Sequence, residues 1–381
     1  MDARRQEAIA LLDGFAERTG LDGGRPPRRY LWTDAFAVCT LLGLARDTGD
    51  PRHREQALRL IDQVHHVLGR HRPDDRRRGW LSGLSEADGE AHPTGGGLRI
   101  GKPLPERRPD QPFDERLEWE RDGQYFHYLT KWMHALDQAA RAAALPLLGR
   151  WARELAATAH RAFRAPTGPG AAPRLYWKMS IDLSRPLVAA VGPHDPLDGL
   201  ITCLQLGDGA PDLGPAIADF AAMVDPRRLA NDDPLAIGGL LTDAHRLLQL
   251  GPRGTALGLV DPLLHAARIG LEQYAYRNDL GRSAVHRLAF RELGLAIGLA
   301  ALARGDWPPA AAPLRRFAPL AAEIEAFWRH PAHRQGQSWL AHADINDVML
   351  ASCLQPDGFL LLAAREPAQG RSGAGVGTPS P

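Results

Sequence analysis

Lysine is nearly missing from this chain. It occurs only at Lys102, Lys131 and Lys178, although Lys and Arg together number 46. Acidic residues number 45, so the formal net charge is +1. No basic excess exists to neutralise phosphates, which excludes a general nucleic-acid binder. With abundant Ala, Gly and Pro, the Arg-for-Lys bias reads as a GC-rich coding sequence rather than a functional signal. Cysteine is scarce too. Cys39, Cys203 and Cys353 lie far apart in apolar helical patterns, as reduced, buried thiols do. No Cys-x-x-Cys or Cys-His pair is present, so no zinc site is expected from them, and neither metal nor cofactor is predicted. Long apolar runs are also lacking: the longest, residues 293–303, is too short to span a bilayer. The charged start, Met1 to Arg5, leads into an amphipathic pattern without a signal-peptide core. These features predict a cytoplasmic protein with no membrane or nucleic-acid partner. The oligomeric state stays open.

What the chain has is helix after helix. Ala8, Leu11, Leu12 and Phe15 recur at helical spacing. Residues 34–47 and 53–68 read as a hairpin joined at Thr48-Gly-Asp-Pro, a Gly stop followed by Pro near the next start. Further helical segments are 123–142, 144–163, 195–206, 213–223, 234–250, 257–276, 283–303, 312–328 and 344–354. Strand signals are few, at 175–179 and 359–362. Connections vary in length and no sequence repeat is visible, which disfavours a solenoid. The even-numbered helices are richer in small and apolar residues than the odd ones. The expected fold is therefore all-α, an (α/α)6 toroid of six hairpins over residues 1–365 with the even-numbered helices inside. Residues 73–121, rich in Gly, Pro and charge, form a long irregular insertion that reads as a lid or a surface loop. Residues 366–381 read as a disordered tail.

Parallel inner helices place their N-termini at one end of the ring. The segments there are polar and aromatic: Arg29-Tyr-Leu-Trp-Thr-Asp34, Trp119-Glu-Arg-Asp-Gly-Gln-Tyr-Phe-His127, Gly192-Pro-His-Asp-Pro-Leu-Asp198, Asn231-Asp-Asp-Pro234, Arg282-Ser-Ala-Val-His-Arg287 and Gln337-Ser-Trp-Leu-Ala-His-Ala-Asp-Ile-Asn-Asp347. Capping explains many of the carboxylates. Asp195 before Pro196 and Asp233 before Pro234 read as N-caps, and Asp198 and Asp347 sit where an acidic side chain meets a helix start. Capping does not explain the Trp, His and Tyr beside them. In 123–142, Tyr125, Leu129, Trp132 and Leu136 form an apolar stripe, while His127, Lys131 and His134 form a polar one. If this helix is buried, that polar stripe must face something wet or charged. The stretch Tyr176-Trp-Lys-Met-Ser-Ile-Asp-Leu-Ser-Arg-Pro186 is irregular and carries Trp177, Lys178 and Arg185.

Aromatic faces beside carboxylates, histidines and arginines suit a sugar or oligosaccharide ligand. Two carboxylates can flank a glycosidic bond as acid and base, and a histidine pair can move protons next to a carbonyl. Tyr30-Leu-Trp-Thr-Asp-Ala-Phe-Ala-Val38, followed by Leu42-Gly-Leu-Ala-Arg-Asp-Thr-Gly-Asp-Pro51, resembles the six-hairpin glycosidase-like superfamily. So does His194-Asp-Pro-Leu-Asp-Gly-Leu-Ile201. That group includes unsaturated glucuronyl hydrolases and N-acylglucosamine 2-epimerases. The resemblance implies a toroid and, less specifically, sugar chemistry, because no complete catalytic set of either family matches.

Three readings follow. A glycoside hydrolase or lyase would use Asp34 and Asp198 as acid and base, with Asp344 in reserve. Trp32, Tyr125, Trp177 and Trp339 would stack on sugar rings, while Lys178 and Arg185 would hold an acidic group. A sugar epimerase would use His127, His194 and His342, with Arg287 polarising the carbonyl. The third reading is a non-catalytic scaffold that binds carbohydrate or protein. Lys131 and Asp195 complete the expected ligand-binding set.

Overall fold

The computed structural model describes residues 2–166, 173–190, 192–207 and 211–363. Twelve long helices organise them. They are α1 (Ala3–Thr19), α2 (Leu31–Thr48), α3 (Pro51–Leu68), α4 (Phe126–Ala142), α5 (Pro146–Phe163), α6 (Asp195–Leu206), α7 (Gly214–Met223), α8 (Pro234–Gln249), α9 (Val260–Arg277), α10 (Ala289–Ala301), α11 (Pro319–Arg329) and α12 (Ala343–Leu354). The even-numbered helices contact one another in the cycle α2–α4–α6–α8–α10–α12 and back to α2. Each odd-numbered helix packs outside an even one: α1 on α12, α3 on α2, α5 on α4, α7 on α6, α9 on α8 and α11 on α10. This closed double ring is the expected (α/α)6 toroid. Burial follows the layers. Every residue of α6 is buried, whereas α3 buries one stripe, His53, Ala57, Leu60, Ile61, Val64, His65 and Leu68. Among the described residues no helix is long and apolar enough to cross a membrane.

Local chemistry sets the hairpins. Gly49 closes α2 in the left-handed region at φ 71°. Asp50 then accepts from the Arg52 N–H and Pro51 opens α3. Asp233 caps α8 as its sequence predicts, accepting from the N–H groups of Leu235 and Ala236, with Pro234 at the first position.

Inner helices meet tightly where glycine removes the side chain. A Cβ on Gly238 of α8 would lie 2.2 Å from the Gly294 carbonyl oxygen of α10. One on Gly298 would lie 2.4 Å from the Gly238 carbonyl oxygen. These two helices touch backbone to backbone.

Residues 359–362, expected as a strand, instead belong to a plug. After α12 the chain makes a short helix, Asp357–Leu360, and enters the far end of the ring. Two inner-helix glutamines clamp it. Gln138 of α4 donates to the Leu361 carbonyl at 2.6 Å and accepts from the Ala363 N–H at 3.0 Å. Gln249 of α8 donates to the Leu360 carbonyl at 2.8 Å and accepts from the Leu362 N–H at 2.9 Å. The ladder-forming groups of this segment are thus spent on side chains, which is why no strand forms. Phe359 stacks on Phe36 of α2 at 4.2 Å between ring centroids.

The insertion at 73–121 is largely irregular, with short helices at Glu86–Ala91 and Glu115–Glu120. Its anchor is Asp122, fully buried between Arg99 at 2.5 Å and Arg72 at 3.3 Å. Next to it lies a small antiparallel sheet of β1 (Gln124–Tyr125), β4 (Lys178–Met179) and β5 (Pro186–Val188). β2 (Arg164–Ala165) and β3 (Arg174–Leu175) pair separately. The expected strand at 175–179 is therefore split between β3 and β4. The tail at 366–381 lies outside the described residues.

The α8–α10 contact makes a paired test. Gly238→Ala should lower stability by about 3 kcal/mol, because the new methyl group meets backbone that cannot rotate away. Gly239→Ala, with nothing within 4 Å of its Cβ, should be neutral or raise stability by about 0.5–1 kcal/mol. Urea denaturation of both variants checks this, and equal effects would contradict the close-packed contact.

Candidate active site

At the N-terminal end of the inner helices lies a cavity of about 660 Å³. That size suits a small-molecule or oligosaccharide ligand. All six inner helices reach it from their first turns, as the parallel arrangement requires. Their contributions include Trp32 from α2, His127 and Lys131 from α4, Asp195 and Asp198 from α6, Asp243 and Arg246 from α8, Phe290 and Arg291 from α10, and Ile345 from α12. Tyr125, His194 and His342 line it from positions just before helices, Trp177 from the residue before β4, and Lys102 and Trp119 from the insertion. Phe359 of the plug also lines it. A second cavity, about 570 Å³, is lined by Arg46, Asp50, Arg54 and the plug residues Leu361, Leu362 and Ala363. It gathers no histidine and no carboxylate beyond the capping Asp50.

The chemistry concentrates where α4 faces α6. Lys131 donates to Asp198 at 2.6 Å. Burial by itself would raise the Asp198 pKa, but Lys131, then Arg246 and His127, hold it below the usual carboxylate range. Asp195 lies one helical turn before Asp198 on the same face. Burial first, and the charge on Asp198 second, push its carboxyl well above the ordinary value. Two neighbouring carboxyl groups therefore favour opposite protonation states. His127 Nδ1 lies 3.8 Å from Asp195 Oδ1. Both His127 Nδ1 and Asp195 Oδ2 are buried, and neither has a hydrogen-bond partner among the described residues. Burial lowers the His127 pKa to about 4 and also lowers that of His194, so both imidazoles are neutral at pH 7. Asp243, deeper in the lumen, is raised to about 6 by burial and by the Asp198 charge. Arg246 holds it at 3.2 Å and also donates to Gln205 at 2.6 Å.

Asp195 departs from the expected capping role. His194 is the N-cap of α6, Asp195 is its first helical residue, and no side-chain cap bond forms. Asp198 likewise turns to Lys131 rather than back to the helix start. Capping cannot satisfy these two carboxyl groups, so their burial needs another explanation.

Of the expected ligand-binding and catalytic residues, the structure brings Trp32, Tyr125, His127, Lys131, Trp177, His194, Asp195, Asp198 and His342 together around the cavity. The others are corrections. Asp34 is sealed in the core, 1% exposed, where it accepts from the Tyr30 N–H at 2.9 Å and faces Arg29 at 3.6 Å. It serves the start of α2, because its position in the first turn turns it back over the helix end. Asp344 is consumed by Arg18 at 2.9 Å and Arg28 at 2.8 Å. Lys178 is buried and donates to the Glu118 carboxylate at 3.0 Å and to the carbonyls of Glu118 and Arg121. Arg185 donates to the Arg107 carbonyl. Arg287 pairs with Glu292 at 2.8 Å beneath Trp328 and Phe327. Trp339 is buried against Trp328 at 5.6 Å. In each case a nearby opposite charge, carbonyl or ring satisfies the group before the lumen does.

Sequence reasoning missed Asp243, Arg246, Tyr30, Tyr128, Phe290 and Lys102. The Tyr30 and Tyr128 hydroxyls bond at 2.7 Å, and burial raises both phenols, so they stay protonated. The available signal for the first pair was Leu-Leu-Thr-Asp-Ala-His-Arg-Leu-Leu at 240–248, a charged pair one turn apart inside an apolar helix. Among the described residues no group of three or more His, Cys, Asp or Glu converges in a way that could hold a metal ion.

The fold defines the class: a six-hairpin (α/α) toroid with a titratable, aromatic-walled lumen. No family model matches the chain, and no curated protein matches its sequence. Solved structures do match in fold. An α-1,6-mannanase of Salegentibacter sp. HEL1_6, an inactive variant with two adjacent aspartates replaced by asparagine, in complex with α-1,6-mannotriose, aligns at TM-score 0.53 and 12% identity over 94% of this chain and 100% of that one. A GH76 α-mannanase of Bacteroides thetaiotaomicron aligns at TM-score 0.57 and 9% identity over 93% and 96%. Cellobiose 2-epimerase from Spirochaeta thermophila aligns at TM-score 0.52 and 14% identity over 93% and 97%.

The buried Lys178–Glu118 pair tests how the insertion is held. Lys178→Met should cost about 2–3 kcal/mol, because it takes one of two cations from the buried Glu118 carboxylate, leaving Arg107 at 3.1 Å, and strips the Glu118 and Arg121 carbonyls of their donor. Thermal unfolding monitored by circular dichroism reads this, and a shift of under 2 °C would contradict it.

Proposed function

We propose that this protein is a carbohydrate-active enzyme, a glycoside hydrolase that works with the carboxyl pair Asp195 and Asp198. The observation that carries the reading is the opposed protonation preference of these two groups beside an aromatic wall. Asp195 keeps its proton and serves as general acid to the departing glycosidic oxygen. Asp198, held anionic by Lys131, stabilises the positive charge that develops on the sugar or takes the proton of the attacking water. Asp195 Oδ2 and His127 Nδ1 are buried beside the cavity with no hydrogen-bond partner among the described residues, so neither group is spent on the scaffold. Trp32, Tyr125 and Trp177 offer apolar ring faces to a sugar, and the neutral phenols of Tyr30 and Tyr128 offer hydroxyls. The insertion at 73–121 belongs to the substrate site on this reading, through Lys102 and Trp119.

The mannanase and epimerase folds support the class of substrate and not its identity. The inactive mannanase lacks two adjacent aspartates. Here adjacent aspartates occur only at Asp74–Asp75 and Asp232–Asp233. Of these, only Asp233 lines the cavity, where it caps α8 and pairs with Arg291. The proposed pair is spaced by one helical turn instead.

One observation favours a second reading, sugar epimerisation: His127, His194 and His342 all line the cavity. A neutral imidazole can take a proton from the carbon beside a carbonyl. Product analysis separates the two, since hydrolysis shortens an oligosaccharide and epimerisation leaves its mass unchanged.

Asp195→Asn and Asp198→Asn should each lower kcat/KM at least about 100-fold on a cleaved glycoside with the fold intact. The pH profile should be a bell. Activity falls at low pH as Asp198 gains a proton, below the usual carboxylate range. It falls at high pH as Asp195 loses its proton, well above that range. A full rate in Asp195→Asn, or a profile without an alkaline limb, would sink the assignment.

A further inference from the structure

We infer that Trp119 is an outer platform for sugar rings beyond the first, so that the site selects chains over single sugars. This inference rests on the carbohydrate reading of the cavity. Its observation is a continuous row of rings. From Tyr30 the row passes to Tyr128 at 5.6 Å, to Tyr125 at 5.2 Å, to Trp177 at 5.3 Å and to Trp119 at 5.0 Å. Exposure increases along its outer half: Tyr125 is 3% exposed, Trp177 is intermediate and Trp119 is 45% exposed. The row starts beside the lumen and ends in solvent.

An exposed apolar side chain is ordinary by itself. Trp119 differs in how it is held. The helix Glu115–Glu120 that carries it is only six residues long. Asp114 caps this helix by accepting from the Leu117 N–H at 3.0 Å. Glu118, 3% exposed, faces inward, where its carboxylate takes Lys178 at 3.0 Å and Arg107 at 3.1 Å. Lys178 also binds the Glu118 and Arg121 carbonyls at 2.7 and 2.8 Å. A buried ion pair and three element ends therefore fix an indole that stays open to solvent beside the cavity. Lys178 and Glu118 are positioning residues here. Prearranged rigidity reduces the ordering cost of binding. A ligand that extends from the lumen to Trp119 passes along this row, because the row is continuous with the cavity wall. A linear oligosaccharide fits that geometry, with stacking faces repeated along its length.

The test titrates the protein and its Trp119→Ala and Trp119→Phe variants by calorimetry. The probes are mannose, α-1,6-mannobiose and α-1,6-mannotriose, and glucose with cellobiose, cellotriose and cellotetraose. The expected result is affinity that rises with chain length in at least one series. Trp119→Ala should weaken the longest member about tenfold and the shortest binding member less than twofold, with Trp119→Phe recovering part of the loss. Equal melting temperatures would show that the fold is unchanged. If every length is weakened alike, or none is, the inference is overturned while the carbohydrate reading stands. If Trp119→Ala changes the sedimentation of the protein and not its sugar affinity, the surface belongs to a protein contact and the inference is overturned. If no sugar in either series binds the wild type, the carbohydrate reading fails and this inference with it.

Discussion

The 2.6 Å ion pair between Lys131 and Asp198 fixes one anion among the buried titratable groups of the lumen. It crosses from α4 to α6 in a buried lumen, where opposite charges interact far more strongly than in water. Burial pushes Asp195 and Asp243 toward their neutral forms, and the negative charge that Lys131 maintains on Asp198 adds to that push. The same pair acts on His127 and His194 with opposite signs from its two ends, so burial decides and both imidazoles stay neutral. The lumen therefore holds one anionic and one protonated carboxyl group a helical turn apart, the division of protonation states that acid–base chemistry uses.

Ring closure is what makes that pair buried. The inner helices run parallel, so their polar first turns collect at one end while the plug at 357–363 enters the other. Backbone contact at Gly238, Gly294 and Gly298 lets α8 and α10 approach closely enough to shut one side of the ring. The glutamine clamps at Gln138 and Gln249 hold the plug whose Phe359 lines the cavity. The insertion at 73–121 supplies part of the cavity wall through Lys102 and Trp119.

Much of this was legible beforehand. Helical periodicity, Gly stops and Pro starts locate all twelve long helices. The richer small and apolar content of the even helices places the inner ring. The polar stripe of His127, Lys131 and His134 marks the lumen face of α4, because a buried helix cannot leave three such groups without partners. The Asp-Pro signal reads correctly at Asp233, which accepts from the Leu235 and Ala236 N–H groups, and wrongly at Asp195, which lies inside its helix and makes no cap bond. Asp34, Asp344, Lys178, Arg185, Arg287 and Trp339 were not separable from true lumen residues by local sequence. Asp344, Lys178, Arg185 and Trp339 meet a partner contributed by another segment, for Asp344 the arginines 316 and 326 positions away, whereas Asp34 and Arg287 are taken by neighbours four or five residues along the chain.

What the sequence determined by itself is periodic and local: which residues are helical, where helices stop, which faces are apolar, and that six polar segments share one end of a ring. What only the tertiary structure decided is which carboxyl groups remain without a neutralising partner. Asp34 and Asp195 both stand in the first turn of an inner helix, yet one meets Arg29 and a backbone N–H while the other meets an anion and an unpartnered imidazole. Charge pairing acts over a few ångströms of space; around Asp34 they are filled by its own segment, and around Asp195 by the packing of α4 against α6.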